Sequence, residues 1–530
     1  MRSVLRSRAV ELPFYVMPCR LPRSAFICGF AAALLGCSGG APPSGPGGLA
    51  VSGASTGSAA AVSTGSASGG AFQGTGSGSS AADAADAAAW TGGDGAAGGP
   101  TFYKDVDPIL ENRCQGCHVT GGIAPFPLVT YQDAKLYAGD IVAQTSQGNM
   151  PPWGAVATPT CTPRFGWQDD AELSSGQIAT LAAWYMAGTL EGNPADAPPP
   201  AVPTPTTLQD PSLVLKPPAP FSITSGTSDQ FRCFVLDPKL TATQYVNGTF
   251  FIPGNPTIVH HALVFTDPAG ASKALVTDPV TQSYDCFGGP NVSNTALLAA
   301  FAPGGVPVDY PPDSGASIDP GTLLVMQVHY HPHSATAVLG PDQTSFQMRF
   351  ATTTPTHIAA TYLIGNFDSA VVDGTGLLPG PDDPPSGPVF SIPPNVSDHT
   401  ETMQFTVPAI IPAMHIAAIA GHEHYVGTSV EITIQRANPT AEQPANECLL
   451  SIPRWDFNWQ RIYAYNAALD QVPVAMPGDV VQIKCTYNNT VSNPFVVQSL
   501  LDQGLSSPVT VNLGETTLDE MCLGAFLVTY

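Results

Sequence analysis

The sequence predicts a multidomain protein in which a small all-α unit, residues 100–197, precedes two all-β sandwiches, residues 211–355 and 356–530. Three observations predict it. Helical apolar spacing is confined to the stretch after Thr101, where Leu173, Ile178, Leu181 and Trp184 recur at helical intervals in "AELSSGQIATLAAWYMAGTL". Short β-branched or alternating runs fill the chain from Pro211 onward ("FRCFVL", "TLLVMQVHY", "FQMRFATTT", "SVEITIQR", "DVVQIKCTY", "LGAFLVTY"), separated by Pro, Gly, Asn and Asp turns. Finally, those roughly 320 residues exceed what one sandwich holds, which puts a break near residue 355.

The N-terminal segments come first. "RLPRSAFICGFAAALLGC" sets Arg20 and Arg23 before an apolar run, Ala25 to Leu35, with a small-residue end, the pattern of an export leader. The run is too short to span a bilayer as a stable helix. Leu34-Leu35-Gly36-Cys37 resembles a bacterial lipobox, which makes residues 1–37 a lipoprotein signal peptide and Cys37 the lipidated first residue of the mature chain. An ordinary signal peptide with an incidental cysteine is the alternative, and Met17 is an alternative start. On either reading the protein is exported; the lipobox reading anchors it by lipid alone in the bacterial cell envelope, on the periplasmic or outer-surface side. Residues 38–99, almost all Gly, Ser, Ala, Thr and Pro, lack the apolar content to fold and read as a flexible tether. Residues 198–210 form a second, Pro-rich linker after the α unit.

Charge narrows the partners. Eighteen basic against 41 acidic side chains leave a net charge of −23, which repels nucleic acid. Of the 11 cysteines, Cys19 and Cys28 lie in the leader and Cys37 is the lipid candidate, so eight remain where disulfides persist.

Cys114-Gln-Gly-Cys117-His118 is Cys-x-x-Cys-His, the covalent attachment pattern of c-type haem. Its thiols would form thioethers and His118 would be one axial ligand. A zinc site would need a second ligand pair nearby, where only Cys161 is available, and a thioredoxin-like motif would need a βαβ context. Met150, in "GNMPPW", is the candidate second axial ligand, because a Pro-rich loop presents a thioether rigidly. Met186 sits in the helical pattern and reads as core. The unit thus resembles a small cytochrome c, which implies electron transfer.

The ten other histidines cluster. Seven of them form three groups: His260-His261, His329-Tyr-His331-Pro-His333 and His422-Glu-His424. Neighbouring strand residues point to opposite faces, so the chain should bend or end its regular pairing at His260-His261 if both rings serve one site. His422 and His424, two apart, share a strand face. Sites of imidazole, or imidazole plus thioether, without carboxylates favour copper over hydrolytic zinc.

On these residues, 211–530 resembles the copper type II, ascorbate-dependent monooxygenases, the family of peptidylglycine α-hydroxylating and dopamine β-monooxygenases. The motifs are Val259-His260-His261, Gln327-Val328-His329-Tyr330, His422-Glu-His424 with Gly427, and Asp519-Glu-Met521-Cys522, in family order. The resemblance implies two jelly-roll-like sandwiches and two copper ions. His260, His261 and His329 would hold an electron-storing copper; His422, His424 and Met521 would hold the catalytic one. It implies hydroxylation of a substrate C–H bond by O2 with two electrons and two protons consumed. It also suggests the disulfides Cys233–Cys286 and Cys485–Cys522, leaving Cys161 and Cys448 without obvious partners. His331 and His333 read as solvent-facing beside the first copper, either able to replace His329. His415 reads as a satisfied core group or one that orients a ligand, and His357 and His399 as loop residues. "CLLSIPRWDFNWQ" reads as a packed aromatic strand without chemistry.

Two departures bear on the substrate and the electron source. Family members acting on C-terminal glycine use an Arg, an Asn and a Tyr at positions that here hold Ala420, Leu523 and Ala525. A carboxylate-bearing peptide would lose its charge-assisted hydrogen bonds, so a less polar small organic substrate is expected. The fused haem unit stands in place of ascorbate, taking electrons from an upstream donor. Across a flexible linker, without a permanent interface, it would feed the His260/His261/His329 copper. The alternative reading is a copper-binding electron-transfer or copper-handling lipoprotein without hydroxylase activity; a zinc hydrolase on the same histidines lacks its carboxylates.

Overall fold

The computed structural model describes residues 98–120, 124–199, 207–223, 229–302, 305–331 and 339–530. The leader with Cys37, nearly all of the 38–99 tether, residues 200–206 of the Pro-rich linker, and His333 lie outside the described residues. Among the described residues no helix is long and apolar enough to cross a membrane.

Near the N-terminal end, a π-helical turn (Phe102–Val106) runs into α1 (Asp107–Arg113), followed by α2 (Tyr131–Leu136), α3 (Ala138–Ser146) and α4 (Ser175–Met186). Local chemistry sets two of the starts. Thr130 and Asp133 exchange side-chain and backbone hydrogen bonds at the head of α2, and Ser174 and Gln177 do so at the head of α4. Leu181 and Trp184 of α4 are buried with Phe102, Val106, Leu110 and Leu173. Met186 corrects an expectation: it is 82% exposed. It ends α4, two residues beyond Trp184 and so about 200° round the helix from that buried face.

Residues 153–168 leave this core. Trp153, Ala155 and Trp167 are buried in the core of the second sandwich, and Trp167 stacks on Tyr465 with ring centroids 4.9 Å apart. The Val156 N–H donates to the Ser451 carbonyl at 3.0 Å, and the Gln168 N–H to Ala464 at 2.8 Å. Arg164 pairs with Glu447 at 2.8 Å. Cys161 and Cys448, left unpaired by the sequence, are bridged to each other. This bridge removes Cys161 as a partner for a zinc site. It also overturns the expectation of a unit held only by a flexible linker: a disulfide and buried tryptophans give it a fixed interface.

Among the described residues, fourteen strands of five residues or more follow. The first sandwich comprises β1 (Gln230–Leu236), β2 (Gln244–Ile252), β3 (Val259–Asp267), β4 (Leu297–Phe301), β5 (Ser314–Ile318), β6 (Leu323–Tyr330) and β7 (Ser345–Phe350). One antiparallel sheet runs β7–β2–β5 and the other β4–β3–β6–β1. Phe251, Phe346 and Met348 from one meet Val264, Met326 and Val328 from the other. The disulfide Cys233–Cys286 staples β1 to the segment beyond it.

The chain crosses to the second sandwich through β8 (His357–Gly365). This strand starts parallel to β5, at His357↔Ser314, and continues antiparallel to β14 (Leu523–Thr529). The remaining strands are β9 (His399–Thr406), β10 (Met414–His422), β11 (Gly427–Gln435), β12 (Asn446–Ile452) and β13 (Val480–Tyr487), with one helix, α5 (Pro494–Gln503). They form sheets β8–β14–β10 and β9–β13–β11–β12. Ile416, Phe526 and Val528 face Met403, Ile432 and Ile483 in their shared core. Cys485–Cys522 joins the two layers. "CLLSIPRWDFNWQ" splits: its first residues complete β12, and Trp455–Gln460 form a loop rather than a strand.

Candidate metal centre

β3 pairs with β6 at Val259↔Tyr330 and again at His261↔His329, so His260 is the extra residue of a β-bulge. The bend expected of the paired histidines is therefore present. A bulge re-aims a side chain without ending the strand, and here it lets neighbouring residues serve one point. The Nδ1 atoms of His260 and His261 each lie 3.3 Å from Nδ1 of His329. The three residues offer ligand atoms within 4.8 Å of one another, a group able to hold a metal ion. Phe231 stacks on His329 and Phe457 on His260, both with centroids 4.2 Å apart, which walls the group from water.

Asp229, missed in the sequence, decides which ring nitrogen His329 presents. The Asp229 side chain is only 5% exposed, and its Oδ1 lies 2.8 Å from His329 Nε2 and 2.8 Å from His331 Nδ1. A carboxylate only accepts, so His329 carries its proton on Nε2 and turns an unprotonated Nδ1 toward His260 and His261. Burial alone would raise the Asp229 carboxyl; the hydrogen bonds and charges of His329 and His331 outweigh it and hold it well below the usual carboxylate range. Asp229 also accepts from the Thr517 N–H and hydroxyl, both at 2.8 Å. His331, expected to face solvent, is mostly buried: its Nε2 lies 3.0 Å from the Tyr425 hydroxyl.

The second pair stands at the end of β10 rather than within a strand. His422 is its last residue and His424 follows in the turn, with ring centroids 5.1 Å apart. Nδ1 of His422 lies 2.7 Å from Gln460 Oε1, and Nδ1 of His424 lies 3.1 Å from the Asp519 carbonyl. Both acceptors fix the proton on Nδ1 and leave Nε2 for a metal. Gly427 is required next to this turn, because a Cβ there would lie 2.4 Å from Glu423 Cβ. Met521, two residues past Asp519, has its N–H on Glu520 at 2.9 Å and its carbonyl on the Tyr487 hydroxyl at 2.9 Å.

The two histidine groups meet. His261 and His422 have ring centroids 6.4 Å apart. Burial, with repulsion among the rings, favours the neutral form of four of them: His422 is pushed down to about 4, His329 is lowered, and His261 and His424 lie well below their ordinary value. Neutral imidazole is the form that ligates.

In the helical unit, Cys114 and Cys117 are unpaired thiols, in contrast to the six bridged cysteines. Burial, with the neighbouring Cys117, pushes the Cys114 thiol up to about 12. His118 Nδ1 lies 3.0 Å from the Phe126 carbonyl, so it donates there and its Nε2 is left for a ligand. Met150 is half-buried in the loop after α3.

Among the other histidines, His415 donates from Nδ1 to the Leu469 carbonyl at 2.8 Å, at the far end of β10 from His422. His357 and His399, expected in loops, open β8 and β9. His399 is buried between Glu401 (2.9 Å) and Asp382 (3.2 Å). Asp229 and Gln460 gave no usable signal, because each is a lone polar group far in sequence from the imidazole it orients; Asp519 stood in the quoted Asp519-Glu-Met521-Cys522 motif without a role of its own.

No protein-family model matches the chain. Among solved structures the chain is similar to the major capsid protein P2 of bacteriophage PM2, at 10% identity over 60% of this chain and 96% of that one, with a TM-score of 0.24. It is similar to the infectious bursal disease virus VP2 subviral particle, at 11% identity over 62% and 80%, with a TM-score of 0.15. A third is the empty top component of cowpea mosaic virus, at 10% identity over 60% and 87%, with a TM-score of 0.20. Likenesses this slight carry no argument about fold or function.

Proposed function

We propose that the chain is an exported, lipid-anchored, copper-dependent monooxygenase, related to the copper type II, ascorbate-dependent enzymes. It would hydroxylate a C–H bond of a small organic substrate with O2, using electrons supplied through covalently attached haem c. The observation that carries this reading is the convergence of five buried or half-buried imidazoles in two groups, one offering Nδ1 from His329 and the other Nε2 from His422 and His424. Three imidazoles alone, and two imidazoles with the Met521 thioether, are donor sets that suit copper. Copper bound there would supply one-electron chemistry and activation of O2. The chain's own residues do the rest: Asp229, Gln460 and the Asp519 carbonyl fix ring orientation, and Phe231 and Phe457 exclude water.

The substrate reading rests on register. Ala420 pairs with Ala525, and His422 with Leu523, across β10 and β14, so all four share one sheet face. No cation stands among these residues to hold a substrate carboxylate. For haem, the fit lies in unpaired thiols, a His118 with Nε2 left for iron, and Arg461. The Arg461 Nε is buried without a hydrogen-bond partner among the described residues, which suits an anionic propionate. Burial raises the pKa of the Cys117 thiol, and Arg461 is near enough for its charge to oppose that rise; it follows Gln460, the residue bound to His422. The sequence expectation has haem feeding the three-histidine group; the ties of residues 147–168 to residues 431–466 favour the His422 side. Three disulfides suit an oxidising compartment.

The test is O2 consumption by the copper-loaded, dithionite-reduced protein with candidate substrates. Uptake that depends on substrate and disappears in His422→Ala and Met521→Ala supports the enzyme. Reversible reduction with no substrate-dependent uptake would sink it in favour of a copper carrier, and an EPR-silent, zinc-only protein would exclude both.

A further inference from the structure

We propose that Asp229 is a positioning residue that couples metal binding at the two histidine groups. This rests on the reading of those groups as metal sites. Asp229 precedes β1 in the first sandwich, yet its four hydrogen bonds divide between two sandwiches. Oδ1 takes the His329 and His331 ring protons at 2.8 Å each, and the carboxylate takes the Thr517 N–H and hydroxyl, also at 2.8 Å each. Thr517 stands two residues before Asp519, whose carbonyl fixes His424, and four before Met521. A continuous chain of contacts thus runs from His329 through Asp229 and the 517–521 segment to His424. His331, clamped between Asp229 and Tyr425, runs parallel to it.

The consequence is reciprocal. A metal that draws on His329 Nδ1 makes Nε2–H a stronger donor and tightens its grip on Asp229. Tightening that carboxylate holds the 517–521 segment in the position that aims His424 Nε2. Linkage requires the reverse effect to have the same size, and couplings of this kind run from about 5-fold to about 150-fold in affinity. Asparagine at 229 cannot satisfy both sides. It has one accepting oxygen, so its amide group must face either His329 Nε2–H or Thr517 N–H, both donors.

The experiment uses the full chain and Cu(II), with affinity measured by chelator competition and the site read by EPR. His422→Ala/His424→Ala, which keeps only the three-histidine group, should bind copper there at least about 5-fold more weakly than the wild type does at the same group. Thr517→Val, nearly isosteric, should shrink that difference. Asp229→Asn should weaken copper at the three-histidine group about 10- to 100-fold and alter its EPR hyperfine pattern, which a purely structural role would leave alone. If the wild type binds two coppers but Asp229→Asn leaves affinity and spectrum unchanged, or Thr517→Val leaves the difference intact, the coupling is refuted while the metal reading stands. A wild type that binds no copper would overturn both.

Discussion

Replacing Cys161 and Cys448 by serine separates two ways of holding the helical unit on the second sandwich. The bridge spans 287 residues, of which the 53-residue separation of Cys233–Cys286 is already short-circuited, leaving a loop of about 235. Chain entropy then caps its contribution at about 5.5 kcal/mol. On the other side stand the buried side chains of Trp153 and Trp167, whose truncation costs about 3–5 kcal/mol each, and backbone hydrogen bonds at Val156 and Gln168 worth about 1 kcal/mol each. The non-covalent ties therefore at least match the bridge. The Cys161→Ser/Cys448→Ser protein should unfold at a lower urea concentration, yet keep residues 153–168 docked in its native state. Hydrogen exchange over 153–168 and tryptic cleavage after Arg164, which is paired with Glu447, report on docking directly. Rapid exchange or cleavage there under native conditions would refute the argument from packing. Adding Trp167→Ala to the pair should release the segment.

Two further outcomes follow from charge. His399 is opposed by burial, but its hydrogen bond to Glu401 and the charges of Glu401, Asp382 and Asp383 raise its pKa, so the charged form is favoured in the fold. Its stabilisation is complete below its unfolded pKa of about 6.5 and is lost as pH rises through the raised folded value. The wild type should therefore lose more urea resistance between pH 6 and pH 8 than His399→Gln; equal losses would count against it. If Cys114-Gln-Gly-Cys117-His118 carries haem as proposed, Arg461→Gln removes a positive charge from beside it and should lower the haem midpoint potential. At ~10 Å and an effective dielectric of ~20 the shift is about 70 mV, readable by redox titration.

The fold was legible where one short pattern sufficed. Alternating runs marked the strands, and "TIVHHALVF" announced a bend, since two adjacent rings cannot share a strand face. The His-x-His spacing brought two rings together even though the strand ends at His422. What the sequence hid depends on long-range placement. Cys161 and Cys448 were the last two cysteines, yet reading them into separate units kept them apart; the strap that carries Cys161 into the second core has no periodicity of its own. Met186 looked like core because apolar identity was taken without its angle on the helix. Asp229 and Gln460 act 100 and 38 residues away from His329 and His422, and nothing in their neighbourhoods distinguishes them from surface polar groups.

The bulge at His260 also sets a rule on chain length. Because His260 has no opposite number in β6, the register on the Val259 side and the register on the His261 side are offset by one residue. Deleting one residue between Val259 and Ala262 would restore a regular ladder and, with it, strict alternation, sending one imidazole to the wrong face. Inserting one would turn Ile258 and Val259, both buried, toward the opposite layer. The count of residues through the bulge is therefore as tightly set as the identity of its two histidines.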